Sequence, residues 1–396
     1  MNGQNSSGLS TNNGAISIVG PLNITTSGDN SNALNTNGGD ISISGLATLK
    51  TTGENSFGAA ANANNGSTQI NFDSGADITT SGSSHGIIAL LQGNITSYGP
   101  FTVHTSGMRA FGAAAFYSSQ ANIHLKDNVT ITAAGSGTSN TDFLNSGPGG
   151  LAALLGGIIV VDGETVIHAT GNYASGLTSA AGQLTLNRGA TINMTGTYAN
   201  GLWISDAFTI NNLMRNVVGF AADSPNVNDP GTLTLHKSWY ITTTAQSSHG
   251  AHLSGKNSQL FATDNDGQGV IHAQGTALRL DSENSMALDI RNPDTGAVIP
   301  GGYGIAKRST GLQASLLNAT LTSVAGNAIE VAGVGKNTDN GDYSRITLSN
   351  SNVTAASGQR VLDVGSQTIS FFNNNTNQNE TTTFTTDGFS FVTHNT

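Results

Sequence analysis

Residues 170–177 read TGNYASGL, and residues 195–202 read TGTYANGL, 25 positions later. Residues 52–61 (TGENSFGAAA) and 106–115 (SGMRAFGAAA) rewrite the phrase, and residues 82–88 (GSSHGII) vary it. Self-similarity at this spacing is the mark of a stacked architecture, in which each repeat is one small unit resting on the next. An apolar residue stands four positions before each repeat glycine: Ile24 before Gly28, Leu49 before Gly53, Ile78 before Gly82 and Val103 before Gly107. The series continues with Ile131 before Gly135, Ile167 before Gly171, Ile192 before Gly196 and Ile271 before Gly275. Around them apolar and polar residues alternate, as in Leu22, Ile24 and Thr26, which is the period of a β-strand. The glycine that follows permits a corner that a Cβ would obstruct.

A second strand falls mid-repeat (Ile41 and Ile43, Ile70 and Phe72, Ile123 and Leu125, Leu184 and Leu186), and a third follows the phrase, as in Gly201-Leu202-Trp203. A unit of about 25 residues with three short strands cannot bury its own apolar face. Stacking units one strand spacing apart, about 4.8 Å, joins each strand to those above and below and lines the interior with aliphatic ladders. The fold class expected is all-β, a parallel β-helix of roughly eleven or more coils, about 50–60 Å long at that spacing. A β-propeller or sandwich would need hairpin turns of the Asn-Gly type between paired strands. Asn2-Gly3, Asn65-Gly66, Asn200-Gly201 and Asn340-Gly341 are present, but they do not recur once per strand pair.

Composition agrees with one solenoid. Of 396 residues, 36% are hydrophobic and 10% charged, against about 25% charged in an ordinary globular domain. Disorder of this polarity usually brings high charge and no periodic aliphatics. The net charge is −10, and 14 Lys plus Arg spread over the chain make no basic stripe, so nucleic-acid binding is not expected. Cysteine is absent, which removes disulfide frameworks and thiolate metal sites. No apolar run is long enough for a spanning helix. The N-terminal MNGQNSSGLS is not a signal peptide, and Met1 reads as a start codon on an excised piece.

The solenoid is expected over residues 1–367, with insertions near 136–160, 206–232, 291–303 and 335–343, followed by an irregular, incomplete C-terminal cap over 368–396. The pattern T-x-G-x4-G-(I/L/A), then I-x-(L/F), then I-x-(T/A)-x-G, resembles the passenger region of autotransporters over roughly residues 8–365. That resemblance implies a right-handed parallel β-helix, displayed on the bacterial outer-membrane surface or secreted. It also implies a signal peptide before this piece and a membrane β-barrel anchor after it. Such passengers serve mostly as adhesins, autoaggregation factors, toxins or host-cell ligands, and some carry protease or esterase domains. The expected partners are therefore a host-cell surface protein or glycan, or further copies of the chain, with no cofactor.

A solenoid tolerates insertions at its turns, where they project and often bind. The stretch 206–232 (DAFTINNLMRNVVGFAADSPNVNDPGT) carries seven large apolar residues between coils. Phe208, Leu213, Met214, Arg215, Val218 and Phe220, with Tyr303 from the 291–303 excursion, are the expected partner-binding residues, beside outward ladders of Asn, Thr and Ser. An alternative is a polysaccharide lyase or glycosidase. Asp264 and Asp289, and likewise Asp266 and Arg291, are 25 apart, so one coil of spacing would stack them. A trimeric phage tail-fibre segment is a further alternative. DNDGQG (264–269) echoes a calcium loop but lacks its last acidic ligand, because position 273 is Ala. His249 and His252 can share a face without making a metal set. No G-x-S-x-G elbow is present, and Leu362-Asp363-Val364 matches a short integrin-binding tripeptide.

Overall fold

The structure, a computed structural model, describes residues 3–137, 149–206, 230–245, 247–287, 290–291, 298–299, 303–337, 341–373 and 378–394. It is a parallel β-helix. The repeat's Ile-Gly strand forms an 11-stranded sheet running from Leu22–Thr26 to Asn352–Thr354. The other two strands of each coil share a 23-stranded sheet. They merge because Ala59–Phe72 and Ile87–Ser97 run unbroken around the corner between the two faces.

The apolar rungs stack in register. Ile24 lies on Leu49, Leu49 on Ile78, Ile78 on Val103 and Val103 on Ile131. The column continues through Ile167, Ile192, Ile241, Ile271 and Leu321 to Val353. Ile241 is invisible to the repeat pattern because position 245 is Ala instead of Gly; its neighbours Trp239 and Thr243 keep the register. The mid-repeat strand supplies a second ladder, with Ile41 on Ile70 and Ile123 on Ile159. Between the end rungs Ile24 and Val353, which are partly buried, these residues are solvent-free. Parallel pairing in every coil excludes the propeller and the sandwich, whose neighbours are antiparallel.

The repeat glycines are required by close approach. A Cβ on Gly107 would stand 1.4 Å from the Gly82 carbonyl oxygen, and one on Gly196 would stand 1.8 Å from that of Gly171. Neither has a positive φ, so contact with the coil below decides the residue. The serines and threonines of the phrase satisfy the same corner. Thr26 and Thr80 point inward and donate to the carbonyls of Ser31 (2.6 Å) and Ser84 (2.8 Å). Ser31 and Ser56 donate to the carbonyls of Gly3 and Gly28 one coil away, each at 2.9 Å. Each also accepts an amide proton, from Ser6 (3.0 Å) and Ser31 (2.9 Å) respectively. Buried backbone groups that turn away from the ladder thus keep partners.

Three departures from the expected layout are visible. The insertion assigned to 136–160 is shorter, since Gly149–Leu154 and Ile158–Val161 are regular coil strands. The excursion at 291–303 belongs to a larger antiparallel finger in which Glu283–Ala287 pairs with Tyr303–Lys307. The stretch 368–396 is not an irregular cap at its described residues. Leu362–Asn373 folds back on Gln378–Thr385 as an antiparallel hairpin, and Phe389–His394 then returns to pair parallel with Ser344–Ser349. The hairpin grows out of a strand whose first residues, Leu362–Gly365, still pair with the coil at Ile329–Ala332, and the 25-residue spacing does not reveal it.

The glycine argument has a direct check. Gly107→Ala is expected to cost about 3 kcal/mol or more, because its contact is backbone that cannot move without parting two coils. Gly365→Ala, with nothing within 4 Å of the added Cβ, is expected to stay within about 0.5 kcal/mol. Urea denaturation of the two variants measures the difference.

Candidate functional site

The strand that follows the repeat phrase decides where the rod can carry chemistry. Its inward residues join the core. Its outward residues were expected to be polar, and at both ends of the rod they are. In the middle they are not: Phe111–Phe116, Gly149–Leu154, Ser175–Ala180 and Asn200–Ser205 are buried on both sides. Outside the main core lies a second apolar cluster that includes Ile88, Phe111, Phe116, Leu154 and Leu155. Strands buried on both faces read as small or apolar throughout, which is why FGAAAF and GGLAAL lose their alternation.

An aromatic column leads into this cluster. The rings of Phe57, His85 and Phe111 stack on successive coils, with centroids 5.4 and 5.8 Å apart. His85 Nδ1 accepts the Phe111 amide proton at 3.0 Å, which fixes a neutral imidazole with the remaining proton on Nε2. Burial, helped by the Arg109 charge, holds the His85 pKa down at about 4.

On the C-terminal side the same face becomes polar. Trp203, His252, Arg279 and Glu330 occupy one register column. Asp281 is clamped between two of its neighbours. Its Oδ1 lies 2.6 Å from His252 Nε2, and its Oδ2 accepts from Arg279 Nε at 2.7 Å. Burial alone would raise the carboxyl pKa, but His252 and Arg279 outweigh it and hold it at about 2. Desolvation likewise opposes the charge on Arg279, and Asp281 with Glu330 (3.9 Å) reverses the effect and raises its pKa. Arg279 Nη1 lies 3.4 Å from His249 Nε2. Burial, then the charges of Arg279 and His252, lowers the His249 pKa to about 3. The Nδ1 atoms of both His249 and His252 are buried without a partner. The network binds charge to charge within itself, and among the described residues no group of three or more His, Asp or Glu is placed to hold a metal ion.

Phe208, Leu213, Met214, Arg215, Val218 and Phe220 lie outside the described residues. Tyr303 opens the outer arm of the finger opposite Ala287, and its side chain also lies outside the described part. Of the stack expected of a polysaccharide enzyme, the Asp266–Arg291 pair is not formed. Gln259 pairs with Gln313, so the coil above Asp264 starts beyond the finger. Arg291 sits in the finger opposite Val298, and Asp289 lies outside the described residues. Asp264 instead meets His236 Nδ1 at 3.0 Å, and Asp266 pairs with Lys237. Those partners occupy the carboxylates of the DNDGQG corner. The tripeptide at 362–364 is no free loop either: Leu362 packs half-buried on the core, and Asp363 pairs with Arg360 and accepts from Asn327 at 3.1 Å.

Sequence reasoning missed Asp281 and Glu330 as partners of His252 and Arg279. The only available signal was the crowding of Arg279, Asp281 and Glu283. Comparison with known proteins yields no match among family models, curated proteins or solved structures.

Two buried neutral histidines make the fold sensitive to acid. The unfolded chain binds protons at His85 and His249 near pH 6.5, and the folded chain only near 4 and 3. Their contribution to stability is therefore full above about pH 6.5 and falls as the pH drops below it. The His85 share, taken from 6.5 to about 4, is roughly 3 kcal/mol. His85→Phe should keep the ring stack and flatten this part of the profile, at the cost of leaving the Phe111 amide without its acceptor. Thermal midpoints measured between neutral pH and pH 4 check the slope.

Proposed function

We propose that this chain is a non-enzymatic β-helical rod, of the autotransporter-passenger kind, displayed on a bacterial surface or secreted. It binds host cells or other copies of itself. The observation that supports this reading is where the insertions enter the rod. Residues 138–148 lead into the strand Gly149–Leu154, and residues 207–229 leave the strand Asn200–Ser205. Only Ser175–Ala180 lies between those two strands in the sheet. The two interruptions therefore flank one face of the rod from its opposite edges, 138–148 at the start of a strand and 207–229 at the end of one two coils higher. A stacked scaffold that keeps its register across such interruptions leaves them free to be presented beside that face.

The apolar residues Phe208, Leu213, Met214 and Phe220 are the anchors in this reading, since a few large side chains carry most of an interface's energy. Replacing the four together by Ser is expected to lower adherence of protein-coated beads to host cells by about tenfold or more, with the thermal midpoint kept. Adherence equal to that of the parent protein would sink the reading.

A further inference from the structure

One corner column of the rod holds its residue in the left-handed backbone region in seven coils. The residue is Asn at positions 5, 30 and 55 (φ 58, 54 and 52°), Arg at 109, Tyr at 173 and 198 (φ 58 and 56°) and Ser at 247. Asn accepts this conformation readily, whereas a ring-bearing side chain is strained by it. At 173 and 198 the strain is not repaid by burial. Tyr198 is 44% exposed, and Tyr173 is half-buried. The two rings stack almost parallel, 5.0 Å apart with 7° between their planes. Backbone strain carried by an exposed aromatic pair is a pointer to function.

The open side of the stack has a definite shape. Asn200 pairs with His249, and Met194 with Thr243, so Ser247 takes the position of the tyrosine in the next coil. The ring ladder stops at Tyr198, and a small exposed side chain follows where a third ring would lie. The notch is about one strand spacing high, near the thickness of a six-membered ring. Among the described residues, the corner stretches 170–174, 195–199, 247–248 and 274–277 that flank it contain no Asp, Glu, Lys, Arg or His. Thr195, Thr244 and Ser247 are exposed beside it.

We propose that Tyr198, backed by Tyr173, is a binding platform for a neutral pyranose of a glycan. The C–H-bearing face of the sugar lies on the electron-rich ring face, and its hydroxyls meet the threonine and serine hydroxyls around it. A neutral corner rich in hydroxyls disfavours a charged partner and has no apolar rim for a protein anchor. This names a ligand class for the surface-binding role and rests on that reading for its biological meaning. The corner itself is tested separately.

The purified chain is titrated with three neutral tetrasaccharides, of β-1,4-glucose, β-1,4-N-acetylglucosamine and α-1,4-glucose, and followed by NMR. At least one is expected to bind in the millimolar range, with upfield ring-current shifts of its ring protons. Tyr198→Asn, which keeps a residue suited to the left-handed corner, should weaken that binding about tenfold and leave the thermal midpoint unchanged or raised. Absence of binding by all three sugars overturns the proposal. So does unaltered affinity in Tyr198→Asn, or a midpoint lowered by several degrees, which would make the stack a structural brace. A parent protein that self-associates through this corner and is made monomeric by the substitution overturns it as well. Lost sugar binding supports the proposal whether or not bead adherence changes, since adherence tests the role of the rod and not the corner.

Discussion

Every coil must pass its neighbour at one strand spacing, at the corners as well as along the strands. Along the strands the backbone ladder meets this condition by itself. At the corners it does not, because the chain turns away from the coil below. The consequences account for most of the composition. Gly107 and Gly196 have no room for a side chain against the carbonyls beneath them. Ser31 and Ser56 each bridge two coils, accepting from one backbone and donating to another. A chain rich in Gly, Ser and Thr and poor in charge is therefore what a rod with tight, dry corners requires, and not a sign of disorder.

The same dryness governs the chemistry of the face built from the strands that follow the phrase. With both sides of the middle strands out of solvent, a titratable group there must give up its charge or find a partner. His85 gives up its charge between two phenyl rings. Asp281 keeps its charge, because His252 and Arg279 hold both of its oxygens. These are two answers to one desolvation penalty, placed on opposite sides of the apolar station. The exposed Tyr173–Tyr198 pair follows another logic, since solvent reaches it and its backbone strain has no compensation within the core.

The repeat phrase made the fold legible. The spacing of Ile78, Val103 and Ile131 determines both that they share a column and that the pairing is parallel, because identical short units can bury their apolar side only by stacking in register. Ile241 escaped because its corner lacks the marker glycine, and the C-terminal hairpin escaped because antiparallel pairing within one coil leaves no trace in a 25-residue period. The candidate site was far less legible. Asp266 and Arg291 are one period apart in the chain, yet the antiparallel finger takes Arg291 out of the coil. A count of residues cannot see which segment leaves the rod.

The sequence by itself thus determined the coil, its inward ladders and the need for glycine at the corners, all of which follow from local alternation and a fixed period. Only the tertiary structure decided which outward residues are buried, which charges meet across coils, and that two strained tyrosines stack at a corner ending on Ser247. Those outcomes depend on the insertions: Arg279 reaches Glu330 only because the chain between them loops out and returns one strand spacing higher.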